Sequence, residues 1–194
     1  MVAFVGCLIA GSAPAEVELT PLVGLQAGGS IGTRQGDLEI DPSAALGLLV
    51  SWRVRSDGMV ELLYTRQDTE MDLDASRLFD LTVEQFHFGG LWEIRDYTQT
   101  RPFLGMTLGV TRMNPDLGGT GSETYFSGAI SGGVKRFFNE KVGLRVEGRG
   151  LMTFSVDEGG IFCGSSFGQS GCAVTALGDA FFQFQGFVGL ILRL

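Results

Sequence analysis

Arg145, Glu147 and Arg149 alternate within VGLRVEGRGLMTF, the stretch from Val142 to Phe154. Successive side chains of an extended chain point to opposite faces, so these three share a face. Val142, Leu144, Val146, Met152 and Phe154 take the other. Guanidinium groups flanking a carboxylate neutralise one another where water is scarce. Where water is present, the same groups can line a path for ions. Comparable parity elsewhere adds Arg53, Glu61, Glu93, Lys135 and Arg193. These residues form the candidate site, a network of both charge signs on one face of a sheet.

Other reactive residues carry weaker signals. His87 is the only histidine, followed by Phe88 and Gly89, and its parity places it on the polar face. GSSFG, at 164–168, matches the spacing of a nucleophile elbow, but such an elbow needs a strand before it and a helix after it. Here it lies between two cysteines in a Gly/Ser-rich segment. Cys163 and Cys172 are expected to pair in an oxidising compartment. A metal site would want a nearby histidine, and none is present. Asp68, Glu70, Asp72 and Asp74 recur at every second residue, a spacing suited either to a solvated loop face or to divalent cations near lipopolysaccharide phosphates. No catalytic residue, metal or cofactor is expected.

The elements that carry these residues read as strands. Period-2 alternation predicts eight: 19–28, 44–54, 59–68, 83–94, 103–112, 124–137, 142–154 and 180–194. RSDG joins the second to the third, RDYTQTRP the fourth to the fifth, and FNEK the sixth to the seventh. The remaining connections are longer and rich in Gly and Asp. An even number of antiparallel strands, with short turns at one end and long loops at the other, describes an outer-membrane barrel.

Alternation alone does not say which face is inside. Leu46, Leu48, Val50 and Trp52 oppose Ala45, Gly47, Ser51 and Arg53, and Leu104, Met106, Leu108 and Val110 oppose Gly105, Thr107, Gly109 and Thr111. The polar faces are rich in Gly, Ser, Thr and Ala, which suit a narrow lumen. On the apolar faces the charges Arg66, Glu84 and Arg136 fall near strand ends, where a membrane interface tolerates them. Eight strands leave an interior that side chains can fill. The charged face is therefore expected to point inward, as a structural plug or as a gated ion path. Trp52, Tyr64, Trp92 and Phe138 are candidates for interfacial belts.

Composition bounds the rest. The 194 residues include 30 glycines and 15 phenylalanines, and the net charge is −8. No apolar run reaches the roughly 18 residues of a membrane helix. A chain this acidic, without a basic stripe, does not suit a nucleic-acid partner. MVAFVGCLIAGSAPA reads as an export signal: the apolar segment 2–10 precedes Ala13-Pro14-Ala15, an A-x-A cleavage pattern. Residues 1–15 are thus expected to be a signal peptide and 16–194 a single barrel domain.

ELTPLVGLQAGGSI, from Glu18, resembles the opening strand of the outer-membrane β-barrel domain family, the small eight-stranded barrels akin to OmpA and OmpX. GGVKRFFNEKVGLRVEGRG, from Gly132, resembles that family's sixth strand, short turn and seventh strand. The resemblance covers Glu18 to Leu194. It implies an all-β fold, an eight-stranded antiparallel up-and-down transmembrane β-barrel in a Gram-negative outer membrane. It also implies contact with outer-membrane lipids and lipopolysaccharide, and delivery by the barrel-assembly machinery as a monomer. Family members typically end in an aromatic residue, whereas this chain ends in Leu194. Activity is not implied by the fold. A structural or surface-interaction role, a small pore, and a soluble lipocalin-like ligand carrier remain the alternatives.

Overall fold

A computed structural model describes residues 16–28, 30–33, 36–40, 42–73, 76–94, 99–116, 121–154, 161–166, 169–174 and 180–194. The segment 1–15, expected to be a signal peptide, lies outside them. The described strands are β1 (Val17–Ala27), β2 (Ser30–Thr33), β3 (Gly36–Ile40), β4 (Ser43–Arg53), β5 (Gly58–Leu73) and β6 (Ser76–Glu93). They continue with β7 (Thr100–Pro115), β8 (Glu123–Phe137), β9 (Val142–Phe154), β10 (Ile161–Ser166), β11 (Gln169–Val174) and β12 (Ala180–Arg193).

Eight of these close a ring. Each of β1, β4, β5, β6, β7, β8, β9 and β12 pairs antiparallel with its chain neighbours in that set, and β12 returns to β1. Closure gives every wall strand two partners and leaves no open edge in the wall. The turns 54–57 and 138–141, the end of β6 and the start of β7 share one end of the barrel with the start of β1 and the end of β12.

Two of the connections expected to be loops carry further strands. β5 and β6 run on past the expected limits to pair Leu73 with Ser76, with one register shift between Met71 and Asp72. β2 and β3 form a hairpin whose second strand pairs with β5, and β10 with β11 forms a separate hairpin. These stretches lack a run of alternating apolar residues, the signal used to recognise the wall. Their backbones pair nonetheless, because a paired amide needs no greasy neighbour.

Side-chain orientation follows parity along the wall. Leu25, Leu46, Phe88, Trp92, Leu104, Met106, Ile130 and Phe184 are all more than half exposed on the outside. Glu61, Lys135 and Arg145 are wholly buried inside. Water-soluble barrels arrange their faces the other way round, with a greasy lining and a wet exterior. Apolar residues also enter the lumen. Leu22, Ala45, Leu49, Leu63 and Phe187 form one cluster, and Met59, Leu91 and Phe103 another.

Candidate functional site

All eight charged residues expected on the polar face point into the barrel interior or its short-turn mouth. They form two tiers.

The middle tier centres on Arg145 of β9. Its Nη1 and Nη2 donate to the two carboxylate oxygens of Glu61 on β5, at 2.6 and 3.2 Å. Its Nε donates to Glu147 at 2.7 Å. Arg149 Nε lies 3.1 Å from the other oxygen of Glu147, and Ser51 donates to Glu61 at 2.9 Å. Two guanidinium groups thus face two carboxylates. A forked guanidinium that grips two acids at once is the geometry in which arginine outperforms lysine.

The lower tier lies toward the short turns. Lys135 Nζ sits 2.8 Å from Glu18 and 2.9 Å from Glu93. Arg53 reaches Glu93 at 3.0 Å and Glu16 at 2.6 Å. Arg193 reaches Glu18 at 3.0 Å and Glu16 at 2.5 Å. Arg101 lies 3.9 Å from Glu93. Arg101 and Arg193 both lie over the Phe137 ring, their guanidinium carbons 4.7 and 4.0 Å from its centroid. Four cations therefore surround three carboxylates at this mouth.

Lys135 and Arg145 are direct cross-strand partners on β8 and β9. Like charges so placed repel. Carboxylates separate them: Glu18 and Glu93, from other strands, take the lysine, while Glu61 of β5 and Glu147 of β9 itself take the arginine. Phe103 supplies a third surface, with Arg145 Cζ 4.3 Å and Lys135 Nζ 5.9 Å from its ring centroid.

Glu16, Glu18 and Arg101 belong to the network but were absent from the expected set. Glu16 and Glu18 share parity with Thr20 and Leu22, so the signal was there, three residues and one residue before the expected start of the first strand. Arg101 shares parity with Phe103 and Gly105 in the same way. At the mouth, burial alone would raise the Glu16 carboxyl. The hydrogen bond from Arg53 and the charge of Arg193 outweigh it and hold the group below its ordinary value of 4.5.

Farther from the turns, His87 is buried between hydroxyls. One ring nitrogen lies 3.1 Å from Thr107 and the other 2.9 Å from Ser127, which also accepts a hydrogen bond from Thr111. Among the described residues no carboxylate orients this ring. A serine–histidine pair sealed inside the wall, without an orienting acid, lacks the parts of a hydrolytic centre. Room for the imidazole comes from Gly109, where a Cβ would collide with the Phe86 carbonyl and lie 2.7 Å from His87 Cδ2.

Cys163 and Cys172 face each other in the β10–β11 ladder. Gly168 and part of the GSSFG stretch lie outside the described residues. So do Asp74 and the side chains of Glu70 and Asp72. Asp68 is exposed, pairs with Arg66 at 3.1 Å and accepts from Thr82 at 2.9 Å. No group of three metal-binding side chains occurs among the described residues.

No family model and no curated protein matches the sequence. Solved structures do. Neisserial surface protein A superposes with a TM-score of 0.64 at 13% identity, covering 92% of this chain and 97% of that one. The outer membrane protein OprG from Pseudomonas aeruginosa gives 0.61 at 10% identity, with 93% and 96% covered. The fold is that of the small outer-membrane barrels. Likeness at this identity carries the outer-membrane barrel fold and not an activity. Within this fold the charged lumen can do one of two things: hold the wall together from inside, or pass ions when its pairs part.

Proposed function

We propose that the chain is an outer-membrane barrel with a structural or surface-interaction role, its lumen closed by the two tiers of ion pairs. The observation that carries this reading is the inverted burial. Exposed Leu, Phe, Val and Ile ring the wall, while Arg145, Lys135 and Glu61 are buried within it. In water such a molecule would leave a large apolar surface uncovered. In a bilayer the same surface is satisfied, and the strands meet every backbone hydrogen-bonding need internally. The partners that follow are outer-membrane lipids, lipopolysaccharide and the barrel-assembly machinery, with the barrel acting as a monomer. A disulfide between Cys163 and Cys172 would staple the β10–β11 hairpin, and a thiol probe should then label them only after reduction.

Heat-modifiability tests the reading. Protein extracted from outer membranes should migrate differently on a denaturing gel with and without boiling. Recovery in the soluble periplasm, with no shift, would overturn it.

A small pore is the second reading. Its support is polar groups in the lumen that find no protein partner: Arg149 Nη2, Gln26 Nε2 and Thr153 Oγ1. Such groups attract water. The ion-pair tiers nevertheless occupy the route to the short-turn mouth, so the wild-type barrel is closed under this proposal.

A further inference from the structure

We propose that a glycerophospholipid whose headgroup carries both a phosphate and a primary ammonium docks at one place on the outer wall. The inference rests on the wall lying in a membrane.

The site is a groove of about 500 Å3 beside the turn that joins β4 to β5. Gly90 of β6 forms part of its floor, where the missing side chain bares the strand. Trp92, Leu104 and Met106 line it, and each is more than 60% exposed. This is a slot of acyl-chain character, apolar and open along the wall.

Its mouth is not apolar. Arg55 and Asp57, both in the turn 54–57, line the same groove. Among the described residues Arg55 has no carboxylate partner, so its guanidinium is available to a phosphate. The Asp57 carboxylate accepts a hydrogen bond from Trp92 Nε1 at 2.9 Å, which fixes it at the groove rim. A carboxylate there disfavours a purely anionic headgroup and favours one that adds an ammonium. Cation, anion and slot thus match the three parts of an aminophospholipid. Trp92, with an apolar ring and a bonded N–H, sits as indoles do at a membrane interface.

The test uses full-length protein from the membrane fraction, shown to be folded by its gel shift, so failure of the membrane reading appears before the lipid step. The barrel is then exposed in mild detergent to phosphatidylethanolamine, phosphatidylglycerol or phosphatidylcholine, and bound lipid is counted by native mass spectrometry. Wild type should retain one phosphatidylethanolamine about fivefold more than either competitor, the scale of one interfacial ion pair. Asp57→Asn should erase that preference, whereas Arg55→Gln, which removes the contact to the phosphate that all three share, should lower retention of all three. Gly90→Leu should lower retention of all three lipids. Gly148→Leu fills an open position elsewhere on the wall, where an added Cβ meets nothing within 4 Å, and should change nothing. Equal retention of the three lipids by folded wild type would overturn the proposal, as would equal loss in the Gly90 and Gly148 variants.

Discussion

At the scale of single residues, Arg145 is the most constrained group. It is fully buried, and its partners Glu61 and Glu147 have no other cation as close. Arg145→Ala should therefore cost about 3–5 kcal/mol, because the Glu61 carboxylate would remain buried without its paired cation and Glu147 would keep Arg149 alone. Urea titration of the refolded barrel in vesicles checks this. The double change Glu61→Gln, Arg145→Met should cost less than the single one, since Glu147 then keeps Arg149 and no charge is stranded. Glu16 gives a pH dependence. Its folded carboxyl lies below 4.5, so its contribution is present above that pH and fades as pH falls through the folded value. The urea midpoint of wild type should drop below about pH 4.5 more steeply than that of Glu16→Gln. What was legible here is the side of the wall each charge faces, because parity depends only on neighbours in sequence. The pairings were not legible. Arg145 and Glu61 stand 84 residues apart, and only the register of the closed sheet brings them together.

At the scale of elements, the wall strands could be read because membrane and lumen impose opposite demands on alternate residues. Where the wall leaves the membrane, that demand ends, and the β5–β6 extension and the β2–β3 hairpin became unreadable although their backbones still pair. Glycines within the strands carry information of another kind. Gly109 meets the Phe86 carbonyl of the neighbouring strand with no room for a methyl group. Gly109→Val should push β6 from β7 and displace His87, costing about 1–3 kcal/mol. A smaller folded fraction in the unboiled gel lane is the expected result, while an unchanged fraction would show that the lumen can give way at this point.

At the scale of the whole molecule, the barrel is narrow and its interior is filled by large side chains, among them Arg145, Lys135, Phe187 and Leu49. Planar bilayer recordings of the wild type should show no steps above a protein-free blank. Lys135→Ala removes the cation shared by Glu18 and Glu93 and leaves the mouth with three cations and three carboxylates. Brief openings in that variant, absent in wild type, are the expected outcome. Their absence would mean that the middle tier seals the lumen by itself. Chains this dissimilar in sequence share the wall because its requirements are periodic and tolerant of the residue chosen.

Arg193, near the end of β12, grips Glu16 and Glu18 at the start of β1, across the seam where the ring closes. A seam of backbone amides is indifferent to sliding by two residues, since such a slip restores the same faces and the same ladder. The glutamates are not indifferent. A slip by two would carry the guanidinium about 7 Å along the strand, and both acids would lose their clasp. The latch therefore acts as a vernier on the closing wall: it distinguishes the native stagger from its near-equal neighbours, and with it sets the tilt and girth of the finished barrel.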